Sequence, residues 1–499
     1  KGNLSTIPAF DVSKDKRVET SFLRREIILL RGCKVLKIKR KPQDYCFGIG
    51  YITLLYISSN INLTLEKNII RKHFCRSSYL YYFCGVSRRK KSRKIFSNVL
   101  VTDAGAKGKS IAKAPDGRVI FISNAVPGDV VDIQTMKQRK AYYEGKAIKI
   151  HEYSPKRTEP VCKHFGTCGG CKWQNMHYDY QLEYKQREVV NNLQRLGKIE
   201  LPEITPISGS KDIYFYRNKM EFSFSDSKWL TLKQIQSDEI IEDRNALGFH
   251  IPGMWDKILD IDKCHLQRDP SNAIRNGVKE FATQNNIPFF NTRNQEGLLR
   301  TLMIRTSSIG ELMVLVQFFK DDQGPRELVM NYLKETFPEI TSLLYVINEK
   351  GNDTIYDQEV LCYAGRDHIF EEMEGLKFKI NAKSFYQTNS EQAYELYKIT
   401  RDFAGLNGDE TVFDLYTGTG TIAQFVAKKA KKVIGVEAVP DAITAAKENA
   451  QLNGIENVEF YVGDMKNVFN DAFIAQHGQP DVVITDPPRD GMHKDVVAQ

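Results

Sequence analysis

The chain lacks any segment that reads as a membrane anchor. One uncharged run, Tyr45 to Leu65, spans 21 residues, but Thr53, Ser58, Ser59, Asn60, Asn62 and Thr64 make it too polar for a bilayer span. No signal-peptide layout precedes it. Methionine is missing before Met136, and the closing Asp-Val-Val-Ala-Gln has no stop signal for the element it begins. A fragment is therefore expected, truncated at the carboxyl end and carrying translated upstream sequence at the amino end. Net positive charge is missing from the body. Residues 1–98 hold 22 Lys+Arg against 6 Asp+Glu, which leaves 49 against 56 for the remainder despite an overall charge of +9. A nucleic-acid surface beyond the amino-terminal arm must then be a local patch. Residues 1–97 have no sustained helical or strand period, a basic run at Arg88 to Lys91, a tyrosine patch (Tyr79, Tyr81, Tyr82) and no motif. They read as a disordered or non-native basic extension rather than a nucleic-acid arm.

The most informative stretch is Val412 to Thr421, VFDLYTGTGT. Val412, Phe413 and Leu415 predict a buried strand. Gly418 and Gly420 then permit a tight turn with close backbone approach to a nucleotide-like ligand. Lys432 to Glu437 is a second apolar run, ending in an acid placed to hold a ribose diol. Asp441 to Asn453 predicts a helix stopped by Gly454, Val458 to Val462 a third strand before Asp464, and Val482 to Ile484 a fourth, ending in Thr485-Asp486-Pro487-Pro488-Arg489. Ala423 stands where a dinucleotide-binding fingerprint accepts glycine or alanine, so the glycines alone leave a dehydrogenase open. The rigid acidic turn decides against it. This half resembles a class I S-adenosylmethionine-dependent methyltransferase, in which such a turn presents the target base to the methyl donor.

Between Asn98 and Tyr153, Val99 to Val101, Val119 to Ile122, Val130 to Ile133 and Tyr143 to Ile150 are short apolar runs parted by turns such as Pro115-Asp116-Gly117. They predict a five-stranded OB-like barrel. Lys137, Arg139 and Lys140 with Tyr142 and Tyr143 put charge and stacking surface on one loop, as single-stranded RNA binding requires. The stretch resembles a TRAM domain, an RNA-binding module of RNA-modifying enzymes.

Cys162, Cys168 and Cys171 lie in CKHFGTCGGC, where Gly169 and Gly170 let the loop fold back so that the thiolates converge. Cys264 is the best candidate for a fourth ligand. Only one short C-x-x-C hook is present, where structural zinc usually has two, and nothing implies an oxidising compartment for disulfides. The pattern favours a [4Fe-4S] cluster, with zinc the alternative. Cys362, in an apolar strand, reads as inert core.

With these cysteines beside the methyltransferase half, residues 98–499 resemble the RNA (uracil-C5)-methyltransferase family. TRAM module and cluster together point to its RlmD branch, which acts on 23S rRNA. The resemblance implies cluster ligands at Cys162, Cys168, Cys171 and Cys264, and donor contacts from Gln387, Tyr416, Thr421, Glu437, Asp464 and Asp486. Thr421 and Asp464 depart from the asparagines that some relatives carry. It also implies a cysteine nucleophile and a carboxylate base past Asp-Pro-Pro-Arg. No cysteine follows Arg489, so both are expected beyond Gln499, and the chain as written is expected to bind the donor and RNA without methylating. A noncatalytic RNA-binding protein is the alternative from another class. An adenine amino-methyltransferase would put an aromatic where Arg489 stands.

In the middle, Tyr178 to Leu196 predicts a helix with Leu182, Val189, Leu193 and Leu196 inward. Arg217, Lys219, Arg300 and Arg305 flank strand patterns, and some subset of them is expected to contact phosphate. A helix capped by Ser390 carries Ala393, Leu396, Tyr397, Thr400 and Phe403 at core spacing. The expected architecture is α/β. A basic extension (1–97) precedes an OB-like TRAM barrel (98–153), a mixed α+β central domain with the cysteine site (154–375) and an incomplete Rossmann-like methyltransferase domain (376–499). Reduced cysteines and the lack of a targeting signal make the cytoplasm the default location.

Overall fold

A computed structural model describes residues 93–237, 241–489 and 491–498, and the chain from Arg93 onward makes one compact unit. The readings at Tyr45 to Leu65 and in the tyrosine patch lie outside the described residues. Among those described, no helix is long and apolar enough to cross a membrane.

The first module is a six-stranded sheet rather than a five-stranded one. Its strands are β1 (Ile95–Leu100), β2 (Asp103–Gly105), β3 (Lys109–Lys113), β4 (Val119–Ser123), β5 (Val130–Gln138) and β6 (Tyr142–Glu152), in the order β1-β5-β6-β4-β3-β2. Strict alternation sends Ile120, Ile122, Val131 and Ile133 into its core. The strands β2 and β3 escape sequence reading because the inward residues of β3, Ser110 and Ala112, carry no apolar signal.

The central sheet joins β7 (Lys219–Ser225), β8 (Ala246–Ile251), β9 (Met254–Asp260), β10 (Leu299–Thr306), β11 (Leu312–Phe318), β12 (Ser342–Ile347) and β13 (Leu361–Gly365) in the order β13-β12-β11-β10-β7-β8-β9. Every residue of β11 is buried, because both of its faces are covered. Leu312, Val314, Val316 and Phe318 face helices α2 (Ser271–Gln284) and α3 (Gln323–Thr336), whereas Met313 and Leu315 join the core of the carboxyl-terminal part. One strand thus serves as the wall between two cores. Cys362 corrects the expectation of an inert core position, since β13 is an edge strand and leaves it exposed.

Helix α1 spans Tyr178–Arg195 with a different face inward. Val189, Leu193 and Leu196 are exposed; Tyr184 is buried with Ala104, Val126 and Met176. Lys156 Nζ sits 2.7 Å from the Tyr184 hydroxyl and over the Tyr180 ring. Amphipathic tyrosines took the buried side, and a stripe drawn through aliphatics misses them.

A hairpin of β14 (His368–Met373) and β15 (Leu376–Asn381) turns through Glu374 and Gly375, both at positive φ as a two-residue turn requires. It leads to helix α4 (Ser390–Ala404), whose cap is Asn389, accepting the Gln392 N–H at 3.1 Å. Ser390 is instead the first residue of the helix, its hydroxyl donating to Glu371 and accepting from Asn218. Ala393 and Tyr397 are buried, whereas Leu396 and Phe403, the latter 85% exposed, face outward.

The last part is a parallel sheet: β16 (Thr411–Leu415), β17 (Lys432–Glu437), β18 (Val458–Val462) and β19 (Val482–Thr485), ordered β18-β17-β16-β19. Helix α5 (Thr421–Ala427) follows β16, and α6 (Pro440–Leu452) follows β17. The strand order reverses at β16, where a doubly wound sheet opens a crevice at the strand ends.

Candidate functional site

At the end of β16 the chain turns back sharply. The N–H groups of Tyr416 and Thr417 both reach the Val436 carbonyl of the next strand, and Tyr416, Gly418 and Gly420 take positive φ. Gly420 is required twice over, since a Cβ there would also lie 2.7 Å from the Phe460 ring. Glu437, at the end of β17, accepts the Gly418 N–H at 3.2 Å on one oxygen and the Val439 N–H at 3.1 Å on the other. That fixes a carboxylate beside the glycine loop. Asp464 caps a short helix (Met465–Val468) after β18 and accepts the Lys466 N–H at 3.0 Å. Asp486, after β19, accepts from Gln387 Nε2 at 3.0 Å.

Four of the six expected donor residues, Tyr416, Glu437, Asp464 and Asp486, therefore gather at the ends of adjacent strands, and Gln387 reaches Asp486 from the loop before α4. Tyr416 shares the electrostatics of Glu437 and Asp464: burial pushes its phenol up, and those two acids add to the shift. Thr421 differs, being buried in the first turn of α5 with its hydroxyl 3.3 Å from that of Thr419.

Sequence reading missed Asp414. Its carboxyl group is fully buried under the glycine loop, where one oxygen accepts from Thr417 Oγ1 at 2.5 Å and the Ala423 N–H at 3.0 Å, while the other has no partner. Burial pushes it up to about 7, opposed by those two hydrogen bonds and aided by the negative charges of Asp486 and Glu437. An acid inside the apolar run Val412 to Leu415 was the available signal. With this many carboxyl groups at one crevice, the site suits a ligand that brings a positive charge and a ribose diol.

The second site lies in the central domain. Cys162, Cys168, Cys171 and Cys264 line one cavity of about 210 Å³ together with His164, Gln174 and Arg217. The Gly170 N–H reaches Cys168 Sγ at 3.4 Å and Gln174 Nε2 reaches Cys171 Sγ at 3.2 Å. Burial pushes the Cys168 thiol up to about 11, with smaller contributions from the neighbouring cysteines, and it raises Cys171 and Cys264 as well. The fold does bring the four expected residues to one place. Among the described residues, however, no group of three or more His, Cys, Asp or Glu is drawn together closely enough to hold a metal ion.

Two expected phosphate contacts prove structural. Arg300 and Arg305 are buried. Arg300 donates to the carbonyls of Asn348 and Lys350 at 2.9 and 2.6 Å, and Arg305 to those of Asn381 and Ser384 at 3.0 and 2.9 Å. Lys219 pairs with Glu221 at 2.8 Å. In the first module Lys137, Arg139 and Lys140 are exposed at the β5–β6 turn. Tyr143 offers no stacking face there, because it is buried with its hydroxyl 2.7 Å from Asp116 and its ring under Arg118.

Residues 406–494 match a family described as a methyltransferase domain, and residues 97–148 match the TRAM domain. A protein of Bacteroides thetaiotaomicron named an uncharacterized RNA methyltransferase is 57% identical over 395 residues, 79% of this chain and 87% of that one. A similarly named protein of Chlorobaculum tepidum is 38% identical over 400 residues, 79% of this chain and 82% of that one. Among solved structures, the Pyrococcus abyssi tRNA (uracil-54, C5)-methyltransferase in complex with S-adenosyl-L-homocysteine is similar at a TM-score of 0.60 and 26% identity, covering 81% of this chain and 86% of that one.

Proposed function

The chain belongs to the RNA methyltransferase family of these relatives, and we propose that it transfers a methyl group from S-adenosylmethionine to C5 of a uridine in 23S rRNA. The donor is consistent with the methyltransferase domain, and the TRAM domain with an RNA substrate. The observation that carries the reading is the bond from Gln387 to Asp486 across the point where the strand order reverses, with Glu437 fixed beside the glycine loop. Uracil as the target is supported by the likeness to the Pyrococcus abyssi enzyme, whose name states that activity on tRNA. Choice of 23S rRNA rests on the combination of TRAM domain and four cavity thiols, as does the cytoplasmic location such a substrate implies.

The donor supplies an electrophilic methyl on a sulfonium. Glu437 would hold its ribose diol, and Gln387, Tyr416, Asp464 and Asp486 would surround the rest, with Thr421 acting through the turn of the loop. Carbon 5 of uracil is a poor nucleophile, so a thiolate must first add at C6 and a base must afterwards take the C5 proton. Of the described cysteines, four line the cavity and Cys362 lies on β13. The alternative, a second reading that the test below separates, is a protein that binds donor and RNA without transferring the methyl.

We read the four thiols as ligands of an iron–sulfur cluster rather than of a single zinc ion, because only one short C-x-x-C hook is present. A zinc ion would gather its sulfurs within about 2.3 Å of one point, whereas a cluster spreads its ligands over several irons. What supports a shared occupant is that all four cysteines line one cavity. Cys162, Cys168, Cys171 and Cys264 would be the ligands, with a role in folding and RNA docking.

The test is nucleoside mass spectrometry of unmodified 23S rRNA incubated with the protein and donor, beside calorimetric titration with S-adenosylhomocysteine. The appearance of 5-methyluridine supports transfer. Binding without product supports the second reading, and no binding removes both.

A further inference from the structure

Gln387 lies on the loop between β15 and α4, and that loop is gripped from outside the methyltransferase sheet. Asn218, just before β7 and only 8% exposed, holds two successive carbonyls of this loop, those of Gln387 and Thr388. Its side-chain nitrogen donates to the Gln387 carbonyl at 2.8 Å and to Ser390 Oγ at 2.9 Å. Its backbone N–H donates to the Thr388 carbonyl at 2.8 Å. Asn218 is itself held, because its carbonyl accepts the Thr306 N–H at 2.8 Å and Gln267 Nε2 at 3.2 Å. The chain of contacts therefore runs from the central sheet through Asn218 to Gln387, and from Gln387 Nε2 to Asp486. Upstream, the loop is tied by Arg305 through Ser384. The side-chain amide of Gln387 can swing only as far as its backbone allows, and Asn218 fixes that backbone.

We infer that Asn218 is a positioning residue for the methyl donor, holding Gln387 opposite Asp486 from the central domain. The inference rests on the reading of Gln387 and Asp486 as donor-site residues. A side chain with no reach to the donor would then control its affinity, and integrity of the central sheet would be felt in the methyltransferase half.

A double-mutant cycle on the full chain tests this, with the dissociation constant of S-adenosylhomocysteine as readout and the melting temperature recorded for each protein. Wild type, Asn218→Ala, Gln387→Ala and the double mutant are compared, with Asn218→Ser made in parallel in case the alanine protein does not fold. Asn218→Ala is expected to weaken binding about tenfold, the size of one or two lost hydrogen bonds, and to add little once Gln387 is alanine. If Gln387→Ala leaves affinity unchanged, the donor-site reading falls first. If Gln387→Ala weakens binding but Asn218→Ala does not, the positioning role is overturned. It is overturned equally if the two effects multiply independently.

Discussion

The donor crevice collects carboxyl groups and the cavity collects thiols, and the chain supports the two differently. In the crevice, main-chain N–H groups hold Glu437 on both oxygens, Asp464 through Lys466 and Asp414 through Ala423, while Gln387 holds Asp486. In the cavity, one N–H at 3.4 Å and one amide at 3.2 Å serve Cys168 and Cys171, and burial raises the thiols. The crevice is organised before its ligand arrives. In the cavity, the cluster proposed above would be what draws the sulfurs together.

The largest expected effect of that difference is on folding. Cys264→Ala, which removes the cavity residue most distant in sequence, should cut folded yield and bound iron severely. Donor affinity per folded molecule should stay within about twofold, because no donor-site hydrogen bond passes through Cys264. Iron analysis, soluble yield and calorimetry read the three quantities. A well-folded, iron-free protein would break the comparison. Next in size is Gly420→Ala, which combines a φ of +75° with a Cβ 2.7 Å from Phe460. A loss on the order of 2–4 kcal/mol is expected, read as a lower melting temperature with donor binding abolished.

The parts of this contrast that sequence disclosed follow a rule. Parallel strands read as continuous apolar runs, the central β16 and β17 because both faces are buried and the outer β18 and β19 through their valines, so β16 to β19 were placed within a residue, together with the polar groups at their ends. The convergence of Cys162, Cys168 and Cys171 was legible for a different reason, since Gly169 and Gly170 let their loop fold back, whereas Cys264 joins the same cavity from far along the chain. Side chains whose partners are distant in sequence were not legible. Arg305 looks like a solvated strand edge until the carbonyls of Asn381 and Ser384 close over it. Asp414 is the same case at the donor site, because its burial depends on a loop that folds back over it.

Asp414 also gives the crevice a pH signature near neutrality, whereas that of the cavity thiols lies in the alkaline range. Its folded value, about 7, lies above the ordinary 3.8, so the protonated form is the one favoured by folding. The resulting stability is fully present below about pH 4 and is lost as pH rises through 7, to a limit of about 4 kcal/mol. The groups bearing on it are Asp486 beyond β19, Glu437 on β17 and Tyr397 on α4. In donor-free protein, Asp414→Asn should flatten the melting temperature between pH 5 and 8 and raise it at pH 8. An unchanged profile would remove Asp414 as the source.

The smallest effect is the sharpest probe of that assignment. Thr417 donates to Asp414 at 2.5 Å and opposes the upward shift, so its bond is worth more to the ionised carboxylate than to the neutral acid. Thr417→Val keeps the volume and removes the donor. The loss of stability should be about 1 kcal/mol at pH 5 and about 2 kcal/mol at pH 8, which moves the midpoint of the pH profile upward by under about one unit. Equal losses at both values, measured by urea unfolding, would mean that the carboxyl stays neutral throughout. The raised charge density of the crevice would then have to be ascribed to Asp486 and Glu437 alone.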